Sequence, residues 1–122
     1  MNVRAARGAI VVPADEPASL HTATAKLLEA VLDRNAIAHD DLISILFTVT
    51  DDLTSAFPAE AARRMGLGDI PLLCAREIPV AGSMRSVVRI LLHFNTDLGL
   101  RDVTHVYLDG AERLRDDLDA AS

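Results

Sequence analysis

The spacing of apolar residues changes several times along this chain and predicts an alternation of strands and helices. Residues 2 to 12 (NVRAARGAIVV) have the apolar character of a first strand, which Pro13 ends. After Asp15, which can cap a helix, apolar residues recur at helical spacing as far as Asn35. An amphipathic helix of this kind is expected to cover one face of a sheet.

The alternation continues in the second half of the chain. Residues 42 to 50 (LISILFTVT) are apolar and β-branched enough to form a central strand. A short helix is predicted near 58 to 65, where Glu60 and Arg64 have the i,i+4 spacing of an ion pair. Residues 111 to 122 are a polar tail that we expect to be partly flexible. The pattern therefore indicates one α/β or α+β unit. Its remaining strands are expected at 70 to 76, 86 to 96 and 103 to 108.

Length and charge narrow the class of function. At 122 residues the chain suits one domain, 1 to 122, that can bury a core without disulfide or metal staples. The formal net charge is -6 and Lys26 is the one lysine, whereas nucleic-acid binders carry clustered basic residues. Nucleic acid is therefore not expected as a partner. The many arginines suit carboxylate ligands, although an Arg-rich, Ala-rich chain can equally reflect genomic base composition.

Cysteine and histidine usage, and hydropathy, argue against a metal site and a membrane. Cys74 stands alone, which excludes an intramolecular disulfide and fits a reducing cytoplasm. The four histidines lie far apart, without the close spacing of zinc ligands. No apolar stretch approaches the length of a membrane span or a secretory signal. We therefore expect a cytoplasmic protein without a bound metal.

Arg89 is the most informative residue, because it lies in the middle of the apolar strand SVVRILLHF. A guanidinium inside such a strand is costly unless an anion pairs with it. Strand alternation places Arg89 on the same face as His93 and on the face opposite Ile90. A structural salt bridge or a place in a subunit interface is the commoner role for such a residue, and catalysis is the rarer one.

Arg7 and Tyr107 raise related possibilities in the first and last strands. Arg7 is set among small apolar residues, and Gly8 beside it permits the close approach of another backbone or a ligand. Two arginines in apolar strands suggest a site for a dianion, although Arg7 alone is more often a surface or interface residue. Tyr107 shares its predicted strand face with His105 and Asp109, and its phenol could donate to a carboxylate.

Glu77 and Cys74 are close in sequence but not necessarily in space. They are three positions apart, so a regular strand turns their side chains to opposite faces. They share a site only if the chain bends, which Pro79 makes plausible by ending strand pairing nearby. Otherwise Cys74 is a small buried hydrophobic residue.

Taken together, these segments resemble the monofunctional trimeric chorismate mutases of the AroH class. The resemblance implies an α+β fold, in which one long and one short helix pack on a mixed sheet of about five strands. Three such subunits would form a pseudo-α/β-barrel with active sites at their interfaces. The likeness covers most of the chain and rests on the order and spacing of VRAARGA, DLTSAFPAEAAR, LCAREIPV, VVRILLHFNTD, HVYLDGA and LRDDL.

The resemblance also implies a reaction and roles for individual residues. The reaction is a cofactor-free Claisen rearrangement of chorismate to prephenate in phenylalanine and tyrosine biosynthesis. Arg89 would donate to the ether oxygen of the substrate, and Arg7 and Tyr107 would hold its enolpyruvyl carboxylate. Glu77 would accept from the ring hydroxyl. The substrate-binding residues implied by the resemblance are Phe57, Ala59, Arg63, Leu73, Cys74, Leu114 and Arg115.

Two positions depart from the family pattern. Glu60 stands near the site entrance where the family often has a lysine, and an acid there weakens the attraction of a dianion. Pro79 replaces an acidic residue and can alter the bend that aims Glu77. Two other functions remain open at this point: a non-catalytic carboxylate-binding or amino-acid-binding regulatory module, and a trimer similar to the enamine or imine deaminases.

Overall fold

The computed structural model describes residues 1–114, and in that part of the chain five strands form one sheet. The predicted elements are confirmed, with ends that shift by a few residues. In chain order the elements are β1 (Asn2–Val11), α1 (Pro17–Arg34), β2 (Leu42–Val49), α2 (Ala59–Arg64), β3 (Leu72–Arg76), β4 (Val87–Thr96) and β5 (Val106–Leu108), with short 3-10 helices at His39–Asp41 and Leu100–Asp102.

The sheet is mixed, with the strand order β3-β2-β4-β1-β5. Its three inner strands pair antiparallel, and each edge strand pairs parallel with its neighbour. The α+β prediction with a mixed sheet of five strands, one long helix and one short helix is therefore confirmed. Strand β4, which carries Arg89, lies at the centre of the sheet.

Helix α1 covers one face of the sheet and forms the main core with it. Ile90, Leu92 and Phe94 of β4 are buried beneath the helix, as strand alternation predicts for that face. Gly8 of β1 lies in the same layer, and a Cβ atom added there would stand 3.0 Å from Leu27 Cδ1 of the helix. The close approach that Gly8 permits is therefore that of the helix.

Asp15 does not cap helix α1, contrary to the prediction. The N-cap residue is Glu16, and it makes no side-chain capping bond. The Asp15 carboxylate instead accepts hydrogen bonds from the backbone N–H groups of Thr54 and Ser55, each at 3.0 Å. The nearby Ser55 side chain, together with the backbone N–H groups of Ser55 and Thr54, lowers the pKa of Asp15 against the opposing effect of desolvation. Asp15 thus fastens the start of the helix to the loop after β2.

Strand β5 begins at Val106, later than predicted, because the Asn35 side chain binds the backbone N–H and carbonyl of Thr104. Asn35, at the end of α1, accepts from the Thr104 N–H at 2.7 Å and donates to the Thr104 carbonyl at 2.9 Å. These groups are therefore used by a side chain and not by the sheet ladder.

The predicted flexible tail, residues 111 to 122, differs from the expectation at its start, since Ala111 is fully buried against Ala9 and Val87. Residues 115 to 122 of the predicted tail lie outside the described residues.

No helix within residues 1–114 is both long and apolar enough to cross a membrane. The same residues contain no group of three or more His, Cys, Asp or Glu side chains placed to hold a metal ion.

Candidate active site

On the sheet face opposite helix α1, the predicted site residues Arg89 and Tyr107 lie in one row. Register pairs Thr48 with Arg89, Arg89 with Ala9, and Ala9 with Tyr107. These four residues therefore lie side by side across four neighbouring strands. Together with Arg7 they line a cavity of about 290 Å³. The structure thus brings three of the predicted residues, Arg7, Arg89 and Tyr107, into one place.

Arg89 has the anionic partner that its strand position required. Its Nε atom lies 3.1 Å from Oε2 of Glu77, and the two side chains are 43% and 18% exposed. The pair is close enough for an ion pair, but Nε has no hydrogen-bond partner among the described residues, because the N–H does not point at the oxygen. Arg89 is also less enclosed than its apolar strand suggested, since it lies on the face away from the helix.

Glu77 reaches this face just beyond the end of β3. Its backbone N–H donates to the Val49 carbonyl at 2.9 Å, which extends the pairing of β2 and β3 by one residue. Its Oε2 atom accepts from the Thr48 hydroxyl at 2.7 Å. Thr48 was not identified from the sequence. A threonine in a strand is common, and only the register of β2 against β4 reveals that this one faces Arg89.

Cys74 lies on the other side of β3, as strand alternation required. It is paired with buried Phe47 and lines a second cavity, of about 410 Å³, together with Phe57 and Arg76. The structure therefore does not bring Cys74 and Glu77 into one cavity within a single chain. Phe57 is 73% exposed at the mouth of this second cavity.

Three other predicted substrate-binding residues, Ala59, Arg63 and Leu73, line neither of these two cavities. Ala59 is buried at the start of α2, and exposed Arg63 pairs with Glu60 at 3.2 Å. Glu60 also contacts Arg64 at 3.6 Å, so the predicted i,i+4 pair is confirmed. Leu73 is 63% exposed on the open face of β3.

A groove of about 710 Å³ continues from Arg89 towards the tail. It is lined by Leu114, for which the resemblance implies substrate binding, and also by Arg85 and Arg113, two exposed arginines that no pattern in the sequence distinguishes. Arg115 lies outside the described residues.

The surroundings of Tyr107 differ in part from the prediction. Asp109 follows β5 in a left-handed conformation with φ 53°, and its carboxylate pairs with Lys26 of helix α1 at 2.9 Å. Asp109 is therefore turned to the helix and does not join Tyr107 on the strand face. His105 precedes the strand, and its Nδ1 accepts the backbone N–H of Arg7 at 3.0 Å.

The start of β4 is held by Asp52. Ser86, the residue before β4, has a left-handed backbone with φ 59°, and both its N–H and its hydroxyl donate to Asp52 Oδ2 at 3.0 Å. Desolvation raises the pKa of Asp52, but hydrogen bonds, first from Thr50 and then from Ser86, outweigh it, so the pKa lies below its usual value of 3.8. Thr50 also accepts the Val87 N–H at 3.0 Å. These contacts fix the strand three residues ahead of Arg89.

Comparison with known proteins identifies the family. The profile of the family described as chorismate mutase type I matches residues 3–118. The chorismate mutase AroH of Thermus thermophilus is 52% identical over 120 residues, which are 98% of this chain and 98% of that protein. The chorismate mutase AroH of Bacillus subtilis is 33% identical over 119 residues, 97% of this chain and 94% of that protein.

A solved structure agrees with these relatives. The chorismate mutase from Clostridium thermocellum superposes with a TM-score of 0.88 at 45% identity, covering 89% of this chain and 97% of that one. All three relatives are named chorismate mutases, and none is named as a regulatory module or a deaminase. The chain therefore belongs to the type I chorismate mutase family and is an isomerase that converts chorismate into prephenate.

Proposed function

We propose that the rearrangement takes place on the open sheet face beside Arg89, in a site that a second copy of the chain completes. One observation carries this proposal. The Arg89 side chain lines the cavity and is 43% exposed, and its ion pair with Glu77 does not use the Nε–H in a hydrogen bond. The guanidinium therefore keeps donors for a ligand oxygen at the cavity, and a charge-assisted hydrogen bond to such an oxygen is strong.

The reaction needs such a donor at one place. In a Claisen rearrangement the ether carbon-oxygen bond breaks while a carbon-carbon bond forms, and no proton or electron has to enter or leave. Negative charge gathers on the ether oxygen as that bond lengthens. A cation already fixed beside this oxygen stabilises the transition state more than the substrate. Arg89 takes this role, because it is held in the central strand with Glu77 beside it.

The neighbouring residues orient the substrate. Arg7 and Tyr107 line the same cavity and offer donors to a carboxylate of the substrate. Glu77 has a second carboxylate oxygen beside the one that accepts from Thr48, and that second oxygen accepts the ring hydroxyl. Holding a flexible substrate in its reacting conformation lowers the barrier by an orientation effect.

A second copy of the chain completes the site. Phe57 and Cys74 line a cavity on the other side of β3, so they cannot contact a substrate held by Arg89 of the same chain. Leu73 and Phe57 are large, apolar and strongly exposed, as interface residues often are. We infer a homotrimer in which one subunit supplies Arg89, Arg7, Tyr107 and Glu77, and its neighbour supplies Phe57, Cys74 and the residues near them. Leu114 then stands near the entrance, in a cytoplasmic enzyme of aromatic amino acid biosynthesis.

Substitution of Arg89 tests the catalytic role. Turnover is followed by the loss of chorismate absorbance with purified protein and no added metal or cofactor. Loss of one fixed donor costs about 3 kcal/mol, so we expect Arg89→Ala to lower kcat by at least about 100-fold. Arg89→Lys is expected to be nearly as damaging, because a single ammonium cannot replace the planar fork. Arg101→Ala, at an exposed arginine in the 3-10 helix Leu100–Asp102, is the control. Wild-type kcat in Arg89→Ala would refute the role.

Mixing two inactive variants tests the composite site. Arg89→Ala damages one half of the site, and Phe57→Asp places a repelling carboxylate in the other half at an exposed position. In randomly mixed trimers about one site in four receives both intact halves, so a mixture should recover about a quarter of wild-type activity. Mixtures that stay inactive after verified subunit exchange would show that each chain carries its whole site.

A further inference from the structure

Glu77 depends on another side chain for its position. It lies one residue beyond β3, where it is no longer inside a strand. Two contacts reach its Oε2 atom, namely the Thr48 hydroxyl at 2.7 Å and Arg89 Nε at 3.1 Å. Only the contact from Thr48 has hydrogen-bond geometry. The direction of the carboxylate is therefore set by Thr48.

Thr48 is well suited to hold a carboxylate still. It lies within β2, with β3 on one side and β4 on the other, so its backbone is fixed by both ladders. Its β-branched side chain has few allowed rotamers. A hydroxyl that donates to a carboxylate forms a short, charge-assisted hydrogen bond, and 2.7 Å is typical of such a bond.

This arrangement leaves Arg89 available to the substrate. An arginine beside a free carboxylate normally forms hydrogen bonds to it, often two in parallel. Here Thr48 holds the nearer carboxylate oxygen in a direction at which the Arg89 Nε–H does not point, so the arginine and the carboxylate form no hydrogen bond through Nε. Without the Thr48 hydroxyl, Glu77 could turn to Arg89 and form that paired contact. The substrate would then have to break an internal bond before it could use the arginine.

We propose that Thr48 is a positioning residue for the reaction: its hydroxyl holds Glu77 so that the carboxylate faces the ring hydroxyl, while the Arg89 guanidinium, clear of a paired hydrogen-bonded contact with Glu77, donates to the ether oxygen. The inference rests on the proposed function, in which Arg89 and Glu77 act on the substrate. Thr48 acts through Glu77 and needs no contact with the reacting atoms.

Two substitutions at Thr48 separate the hydroxyl from the rest of the side chain. Thr48→Val has nearly the same shape without the donor, and Thr48→Ser keeps the donor. We expect Thr48→Val to lower kcat about 10-fold with little change in KM, since a hydrogen bond to a charged group is lost. Thr48→Ser should stay within about 2-fold of wild type. Ser44→Ala is the matched control, because Ser44 lies on the same face of β2 and bonds to His93 at 3.2 Å, away from the site.

A double substitution tests whether Thr48 acts through Glu77. In the Glu77→Gln background the Thr48→Val change should have almost no further effect on kcat, because the charged acceptor is already gone. Independent, multiplying losses would overturn the inference, as would wild-type kcat in Thr48→Val or an equal loss in Thr48→Ser. A failure of the proposed function would be seen in a different variant: Arg89→Ala would then turn over chorismate at the wild-type rate.

Discussion

Replacing Gly8 with alanine tests how closely helix α1 packs on the sheet that carries the active site. The new Cβ atom would stand 3.0 Å from Leu27 Cδ1, 3.2 Å from Ile90 Cγ1 and 3.2 Å from Val31 Cγ2. Carbon atoms in contact normally lie about 3.5 to 4.0 Å apart. The methyl group therefore overlaps three neighbours, and two of these belong to stiff β-branched side chains.

The size of the effect follows from two opposing terms. Overpacking a dense core by a methyl group costs about 1 to 3 kcal/mol. Alanine recovers roughly 0.5 to 1 kcal/mol, because it restricts the unfolded chain more than glycine does. The mid-values of the two terms leave a net loss of about 1 kcal/mol for Gly8→Ala. Gly8 lines the Arg89 cavity with its backbone, but the added methyl group points at the helix, so kcat should change much less than stability.

Denaturant unfolding at a fixed protein concentration measures this difference, since an oligomer's apparent stability depends on concentration. Gly68→Ala is the matched control: a Cβ atom at Gly68 would lie 3.8 Å from Arg63 Cγ, an ordinary contact. We expect Gly68→Ala to change stability by less than about 0.5 kcal/mol, or to raise it slightly. If Gly8→Ala proved as stable as Gly68→Ala, the close packing of the helix against β1 would be refuted.

Three further predictions concern charge and the tail. Glu60→Lys should lower KM several-fold at low salt with little change in kcat, because the carboxylate that pairs with Arg63 at 3.2 Å is replaced by a cation near the entrance, and the gain should vanish at high salt. Asp52→Asn should cost about 1 to 2 kcal/mol at neutral pH by weakening the bonds from Ser86. The pKa of Asp52 in the folded protein lies below its usual value of 3.8, so the carboxylate stabilises the fold above pH 3.8. This stabilisation is lost as the pH falls through the pKa of the folded protein. The unfolding curves of wild type and Asp52→Asn should therefore converge in strong acid. Truncation after Leu114 should raise KM and leave kcat largely intact, whereas a large fall in melting temperature would place the missing residues in the core.

Much of the fold could be predicted because strands and helices leave different spacings in the sequence. The face of β4 that carries Ile90 is buried and the face that carries Arg89 is open, as a period of two requires. The errors lie where a side chain competes with the backbone. Asn35 takes the groups that would have started β5 early, and Asp15 binds a distant loop and not its own helix. Such contacts join residues far apart in sequence, and no local pattern records them.

The candidate site was predictable only in part, because alternation assigns a residue to a face but does not say what covers that face. Alternation correctly put Cys74 and Glu77 on opposite sides of β3, so one chain could not use both at one substrate. The roles of these residues came instead from resemblance to a family. The structure supplies a physical reason for a composite site, since each cavity holds only part of the chemistry. It also shows Thr48 bonded to Glu77 and paired with Arg89, an arrangement that depends on cross-strand register, which the sequence of β2 alone does not determine.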